Sequence, residues 1–283
     1  MSIDNIPRPP TLYIEGLAFW APSLPGWDIA RAAFRGEGVV TEPPAKRPAP
    51  MVLAPAERRR APDTVALALE VAAAAMAASG RNAADVPCVF ISAHGDLSIN
   101  DYMCNTLATD PTVLSPTRFH NSVHNAAVGY WTIGTGCMAA SNSVSAFEYS
   151  FATGLLEAAV QCAADHSPVL VVGYDTPTVG PLTSVTDSRG LLAVAMVIAP
   201  ERSERTVAAL DWSLAGNGLE AASTYTPAHS EAAKSLSGIN PMAQALSLFE
   251  SLAHLSDGAG PPVALRLSPT LSLRLQLRPP PKD

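Results

Sequence analysis

Two of the six histidines have a spacing that could support metal binding. His120 and His124 stand four residues apart in the run FHNSVHNAAVGYW. On a helix both imidazoles would lie on one face, as the ligands of a zinc site do. No third ligand is evident near them, and no glutamate accompanies the pair. The alternative is that both are hydrogen-bonded polar residues near the start of a buried helix, and we expect no metal and no other cofactor.

Cys137 is the thiol best placed for nucleophilic chemistry. It follows Gly136 and lies a short way along the chain from His124, and a nearby histidine is one of the features that lower a thiol pKa. However, Cys137 precedes a predicted strand, and free cysteines are among the most often buried residues. An acyl-transfer site made of Cys137 and His124 and a buried structural thiol both stay open.

Glu148 is the acid in the most informative position. The pattern predicts a strand over 139–147 followed by a helix over 148–164, so that Glu148 opens the helix. Free N–H groups and the helix dipole favour a carboxylate there, although an acid in a first turn is also ordinary helix electrostatics. Residues 119–188 contain no lysine or arginine, which indicates burial. We therefore expect Glu148 to be mostly buried and to accept N–H bonds from the first turn.

Alternating strands and helices must position these residues. Further strands are predicted at 13–20, 86–93, 169–174, 191–199 and 207–215, with a closing hairpin of 263–267 and 271–277. Further helices are predicted at 27–35, 64–79, 100–108 and from Asn240 onward, while the proline-rich residues 41–62 read as an irregular connection. The apolar strands lack alternation, which is typical of strands buried on both faces. This pattern predicts an α/β sandwich with a largely parallel central sheet.

Composition excludes several classes of protein. The chain has 283 residues, a net charge of −7, 48% apolar residues and only 15% charged residues. It has ample apolar surface to bury, so it is not disordered, and its acidic balance argues against a nucleic-acid-binding surface. No apolar run is long enough to cross a membrane, and the N-terminus does not resemble a signal peptide. The chain also lacks a G-x-S-x-G, a Walker A and a GxGxxG motif, and its four cysteines form no CxxC, so we expect reduced thiols in the cytoplasm.

Three runs resemble a known family, the thiolase-fold β-ketoacyl synthases. They are HNAAVGYWTI at 124–133, ASNSVSA at 140–146 and VLVVGYD at 169–175. The run HNSVHN is more narrowly similar to the short, chain-length-factor-like proteins of bacterial aryl-polyene and related polyketide clusters. The resemblance implies a five-stranded mixed sheet between helices over residues 1–200. Residues 201–283 would then form a truncated second half made of a strand, a helix and a hairpin.

Two departures from the ketosynthase pattern bear on function. Counting along the strand from Gly136, Glu148 stands where a ketosynthase carries its acyl-accepting cysteine. The only histidines after residue 199 are His229 and His254, and neither lies in a motif like those that supply the catalytic histidines of ketosynthases. The resemblance therefore implies a ketosynthase-like subunit without its nucleophile or condensing histidines, and we expect no independent condensing activity.

Such a subunit would pair with an active ketosynthase in polyketide, aryl-polyene or fatty-acid-like biosynthesis. In the family, the nucleophile strands of two subunits run antiparallel across the dimer axis. We predict that the small-residue strand over 139–147 is an edge strand, which suits such close pairing in a heterodimer or a larger assembly. The candidate interface and tunnel residues are Phe119, His120, His124, Asn125, Met138, Ser141, Ser143, Val144, Ser145 and Phe147. Of these, Phe119, Met138 and Phe147 are bulky enough to limit product length.

Other partners and functions stay open. Arg58, Arg59 and Arg60 could meet the acidic face of an acyl carrier protein, or they could be a solvated loop. Glu148 could promote decarboxylation of a malonyl group, and Cys137 with His124 could transfer acyl groups. The chain could also be a purely structural homodimer.

Overall fold

A computed structural model describes residues 9–37, 46–216 and 225–280, with helices on both faces of one curled, mixed sheet. The strands are β1 (Leu12–Ala21), β2 (Leu24–Pro25), β3 (Cys88–Ile91), β4 (Ser141–Val144), β5 (Val169–Asp175), β6 (Leu192–Ala199), β7 (Ala208–Gly216), β8 (Val263–Ser268) and β9 (Leu271–Arg278). Their order across the sheet is β4-β3-β5-β6-β1-β7-β9-β8, and β2 pairs with β1. The strands β4 and β8 therefore form the two edges.

Nine α-helices lie in the described ranges. They are α1 (Trp27–Phe34), α2 (Pro55–Arg60), α3 (Asp63–Ser79), α4 (Leu97–Thr109), α5 (Pro116–Asn121), α6 (Ala126–Thr135), α7 (Ser150–Asp165), α8 (Glu231–Leu236) and α9 (Leu246–Ala253). The helices α3 and α6 share one apolar core with the sheet. The helices α1, α7, α8 and α9 share a second core on the opposite face.

The sheet differs from the predicted one in direction and size. Only β3 runs parallel to its neighbours β4 and β5, and every other pair is antiparallel. The expected five strands are present as β4-β3-β5-β6-β1, but β7 pairs with β1 and extends the sheet to nine strands. A largely parallel sheet and a five-stranded sheet were therefore both wrong predictions. Apolar strand patterns show burial, but they do not show direction or which edge a later strand joins.

Two glycines let helices lie very close to the sheet. A Cβ at Gly16 on β1 would stand 2.2 Å from the Ala75 carbonyl oxygen of α3, and a Cβ at Gly154 on α7 would stand 2.3 Å from Ile91 of β3. Helix α3, as expected from its apolar surface, is buried along most of its length. Helix α7 is thereby held directly against β3, the strand that pairs with the edge strand β4.

Most predicted elements are confirmed, with shifted ends. The helix at 64–79 and the closing hairpin are present. Asn240 caps its helix, since its side chain accepts a hydrogen bond from the Met242 N–H at 2.9 Å, but the first turn is a 3-10 turn. The predicted irregular connection 41–62 contains helix α2, and its residues 41–45 lie outside the described ranges. No described helix is both long and apolar enough to span a bilayer.

Candidate functional site

The turn between β4 and α7 is a sharp, strained junction. Phe147 has a φ of +53°, one of two positive values among the described non-glycine residues. A phenylalanine in this left-handed region is unfavourable and persists only where the surroundings impose it. Ser150 imposes it in part, because its hydroxyl accepts from the Ala146 N–H at 2.9 Å and donates to the Phe147 carbonyl at 2.6 Å. Phe147 is thus the residue at the apex of the turn.

Glu148 does not have the predicted environment. It lies in a 3-10 turn, Phe147–Tyr149, and α7 begins only at Ser150. The side chain is exposed and hydrogen-bonded to Tyr149, and this bond raises the pKa of the Tyr149 hydroxyl. The prediction that Glu148 is buried and opens the helix was wrong, because Ser150 and the reversal at Phe147 move the helix start by two residues.

A buried aspartate fixes the loop beside this turn. The carboxylate of Asp175, at the end of β5, accepts from the Ser92 hydroxyl at 2.6 Å and from the Ala93 N–H at 3.0 Å. It also accepts a backbone bond from His94. Burial raises the pKa of Asp175 to about 7, against the lowering effect of these three donors. Residues 92–95, the loop that follows β3, are therefore held by the end of the neighbouring strand.

An open cleft of about 400 Å³ lies over the turn. Its polar and aromatic lining includes His94, Phe147, Glu148, Tyr149, Thr186, Asp187, Tyr225, Asn240, Gln244 and Arg266. The His94 ring contacts the Phe147 ring edge-on with centroids 5.3 Å apart, and its Nε2 lies 2.9 Å from the Thr186 hydroxyl. Burial and the nearby charge of His124 lower the pKa of His94. The cleft therefore has hydrogen-bonding groups and an imidazole, with an aromatic ring at the apex of the turn.

In the edge strand β4, alternate residues direct their backbone N–H and C=O groups away from the sheet. The carbonyls of Ala140 and Val144 accept from the N–H groups of Cys88 and Ser92 at 3.0 and 3.2 Å, so the even-numbered residues along β4 bond inward, toward β3. The backbone groups of Ser141 and Ser143 consequently face away from the sheet. The Ser143 hydroxyl is buried and, among the described residues, has no hydrogen-bond partner. In the described structure β4 pairs only with β3.

Apolar side chains near β4 in sequence are unusually exposed. Met138 is 94% exposed and Ile133 is 79% exposed, and Phe119 and Phe147 are each more than half exposed. Val144 is a candidate interface residue, but its side chain packs against the core on the α7 face. The predicted strand over 139–147 is thus shorter, but its edge position is confirmed.

The two spaced histidines do not share a helix face. His120 lies on α5, exposed, with its ring 6.3 Å from that of Tyr130. His124 lies between α5 and α6, and its Nε2 donates to the Ser92 carbonyl at 2.9 Å. Asn125 follows it and is exposed. Among the described residues no cluster of three or more His, Cys, Asp or Glu could hold a metal ion.

Cys137 and His124 lie at opposite ends of β3. The buried Cys137 thiol lies 3.6 Å from the Val86 carbonyl, before the strand, whereas His124 bonds Ser92 after it. At about 3.3 Å per residue, the six positions between Val86 and Ser92 span roughly 20 Å. The geometry therefore does not bring this thiol and this imidazole together.

The arginine cluster lies on helix α2. Arg59 and Arg60 are exposed, and Arg58 is half-buried beside the Met51 sulfur. Residues 52 and 53 pack against Gly134 near the end of α6, which places α2 close to the chain that leads into β4.

Three residues at this site, Asp175, His94 and Thr186, are not among the residues predicted from the sequence. Asp175 could have been identified from the sequence, because it is a lone acid at the end of an apolar strand in VLVVGYD. His94 lies in the loop that follows β3, but nothing in its own sequence context places it beside Phe147. Thr186 lies on an irregular segment whose position depends wholly on tertiary packing.

The sequence itself matches a family model. The model of the β-ketoacyl synthase N-terminal domain matches residues 35–257, more than half of the chain. The chain belongs to the β-ketoacyl synthase family. No curated protein sequence matches it.

Solved structures have the same ketosynthase fold. A chain of the ketosynthase (ApeO) in complex with its chain length factor (ApeC) from Xenorhabdus doucetiae matches with a TM-score of 0.68 and 21% identity, over 94% of this chain and 99% of that one. The ishigamide ketosynthase/chain length factor matches with a TM-score of 0.69 and 15% identity, over 95% and 99%. A β-ketoacyl synthase from Burkholderia phymatum matches with a TM-score of 0.69 and 10% identity, over 97% and 100%. At these identities the likeness establishes the fold, and with the family match it makes the chain a ketosynthase-like protein.

Proposed function

We propose that this ketosynthase-like chain is a non-catalytic, chain-length-factor-like subunit that pairs through β4 with an active ketosynthase. The assembly would build acyl chains of the polyketide, aryl-polyene or fatty-acid type. The observation that carries the proposal is the β4 edge, whose outward backbone groups at Ser141 and Ser143 need a second strand. The exposed Met138 and Ile133 near it supply apolar surface for such a partner.

The chemistry of the turn supports the non-catalytic part of the proposal. Phe147 at the apex and Glu148 beside it have neither a thiol nor a hydroxyl that could accept an acyl group. The two C-terminal histidines also lie elsewhere, because His229 and His254 line a different cleft from the one over the turn. A carbonyl carbon bound at the turn would therefore meet no nucleophile from these positions.

Bulky side chains of this subunit would limit the length of the acyl product. Phe119, Met138 and Phe147 are exposed and would limit the volume that the partner's acyl chain can fill. Each methylene group of the acyl chain that is buried in such a pocket contributes about 1 kcal/mol of free energy. On α2, the exposed Arg59 and Arg60 would attract the acidic surface of an acyl carrier protein.

One observation favours a second candidate function, the decarboxylation of a malonyl group. Glu148, Tyr149 and His94 share the cleft over the turn, so a small acyl group there would meet an acid and an imidazole. A purely structural homodimer through β4 is the third candidate, since a second copy offers the same free edge.

Co-expression and assay of the purified subunit separate these candidates. We expect the chain to form a stable complex with a complete ketosynthase encoded beside it, and to yield no ketoacyl product alone with malonyl-carrier protein as extender. The Glu148→Cys variant should stay inactive, because no condensing histidines face the turn. Ketoacyl formation by the pure subunit would refute the proposal, carbon dioxide release without condensation would support the decarboxylase, and a homodimer that ignores the ketosynthase would support the structural protein.

A further inference from the structure

The loop after β3 is tied to three other elements of the structure. The Ser92 hydroxyl donates to Asp175 and accepts from the Gly95 N–H at 2.9 Å. The Ala93 carbonyl accepts from the Ser145 hydroxyl, just beyond β4, at 2.9 Å. The Ser92 carbonyl accepts from His124, on the link between α5 and α6. The loop therefore joins the end of β5 to the end of the edge strand.

Asp175 is the buried acceptor shared by several donors of this network. Asp175 and Ser92 are almost completely buried, and Ala93 is 6% exposed. Without the carboxylate, the N–H groups of Ala93 and His94 would lose their acceptor in a dry site, which is costly for buried donors. The backbone of Asp175 is itself anchored, because its carbonyl accepts from the Asn240 side chain at 3.0 Å.

The position of the loop affects the proposed interface through two contacts. Ser145 holds the chain between β4 and Phe147, and His94 places its ring against the Phe147 ring. A displaced loop would release both contacts at once. The edge strand would then lose the support of the segment that directly follows it.

We propose that Asp175 is a positioning residue that, through Ser92–His94, sets the conformation of the β4 end and of the Phe147 turn for partner binding. The partner-binding part rests on the proposed function. The part that concerns the loop and the turn stands on the described contacts alone.

Two substitutions of Asp175 distinguish the hydrogen-bonding role of its side chain from the effect of its volume. Asp175→Asn keeps an acceptor oxygen for the backbone N–H groups, and its amide can donate to the Ser92 oxygen in place of the bond that Ser92 donates to the carboxylate. Asp175→Leu has a similar volume and no acceptor. Amide hydrogen exchange on the isolated subunit should show at least tenfold faster exchange in Asp175→Leu at 92–95 and 144–148, with α3 and β6 unchanged and Asp175→Asn within twofold of wild type.

Partner affinity, measured by titration with the purified ketosynthase, should fall at least tenfold in Asp175→Leu and be kept in Asp175→Asn. Ser92→Ala is the second variant should Asp175→Leu not fold, and it should accelerate exchange at 93–95. Unchanged exchange at 92–95 in these folded variants, or faster exchange spread evenly over the whole subunit, would overturn the positioning role. Failure of the wild-type subunit to bind any ketosynthase would instead overturn the proposed function, while the exchange result still decides the role of Asp175.

Discussion

The two edge strands of the sheet are protected in opposite ways. At β8, Ala264 exchanges hydrogen bonds with Thr226, whose N–H reaches the Ala264 carbonyl at 3.1 Å and whose hydroxyl accepts from the Ala264 N–H at 2.9 Å. The strand also carries Arg266, has an irregular register after it, and follows Pro261 and Pro262. These are the devices by which proteins prevent further strand pairing.

None of these devices is present at β4. Its residues are Ser141, Asn142, Ser143 and Val144, without charge, proline or bulge. The same chain thus blocks one edge of the sheet and leaves the outward backbone groups of the other edge without these devices. The proposed pairing of β4 with a partner strand rests on this difference between the two edges.

The largest expected effect comes from removing one outward donor. Ser143→Pro deletes an N–H that faces away from β3, so it should abolish co-purification with the ketosynthase while the β3–β4 pairing survives. Ser143→Ala is the matched control, because it keeps the backbone N–H and should retain the complex. Pull-down with a tag, with circular dichroism as a folding check, measures both. A complex retained by folded Ser143→Pro would make the two edges equivalent.

A charge beside the open edge should have the next largest effect. Met138→Asp places a carboxylate on a side chain that is 94% exposed near β4, and we expect roughly a hundredfold weaker binding, or ~3 kcal/mol. Leu214→Asp is the control, since Leu214 is an exposed apolar residue on β7, among the strands at the protected end of the sheet. Isothermal titration against the ketosynthase should show little change for it. Equal losses in the two variants would contradict a localised interface.

Asp175 should give the subunit a distinct pH dependence of stability. Burial raises its pKa to about 7, whereas an unfolded aspartate titrates near 3.9. Between about pH 4 and 7 the folded state therefore binds more protons at this site, and the free energy of unfolding falls as pH rises, by up to about 1.4 kcal/mol per unit.

Urea unfolding of wild type and Asp175→Asn over this pH range isolates that contribution. The groups around the carboxyl, which include His94, Tyr174, Asp96 and His124, are shared by both proteins. The free energy of unfolding of wild type minus that of Asp175→Asn should fall as pH rises from 4 to 7 and level off above pH 7. A difference that stays constant from pH 4 to 7 would show that Asp175 has an ordinary pKa.

The smallest expected effect concerns the strain at the turn. Phe147→Gly should be more stable than Phe147→Ala by about 1 kcal/mol, because glycine adopts a φ of +53° freely and alanine does not. The two variants lose the same ring, so chemical unfolding reports the backbone term alone. In the assembled complex both should leave pairing intact and shift product length, as mass spectrometry would show. Equal stabilities would mean that the turn is not strained.

The sequence predicts most of the helices and strands, but it does not predict where each begins or how they join. Apolar strands such as residues 192–199 and the helix over 64–79 are predicted by composition and period, which are local properties. The start of α7 is not, because the hydroxyl of Ser150 and the reversal at Phe147 override the helix signal at Glu148. The union of β7 with β1 depends on contacts about 200 residues apart in sequence. The edge character of β4, in contrast, followed from its small, uncharged residues.

Residue-resolved amide hydrogen exchange of β4, with and without the purified ketosynthase, decides whether β4 pairs with a partner strand. We expect the outward amides of Ser141 and Ser143 to exchange rapidly in the isolated subunit and at least a hundredfold more slowly in the complex. The inward amides of Asn142 and Val144, already bonded to β3, should change far less. Equal exchange of Ser141 and Ser143 with and without bound ketosynthase would contradict strand pairing at this edge.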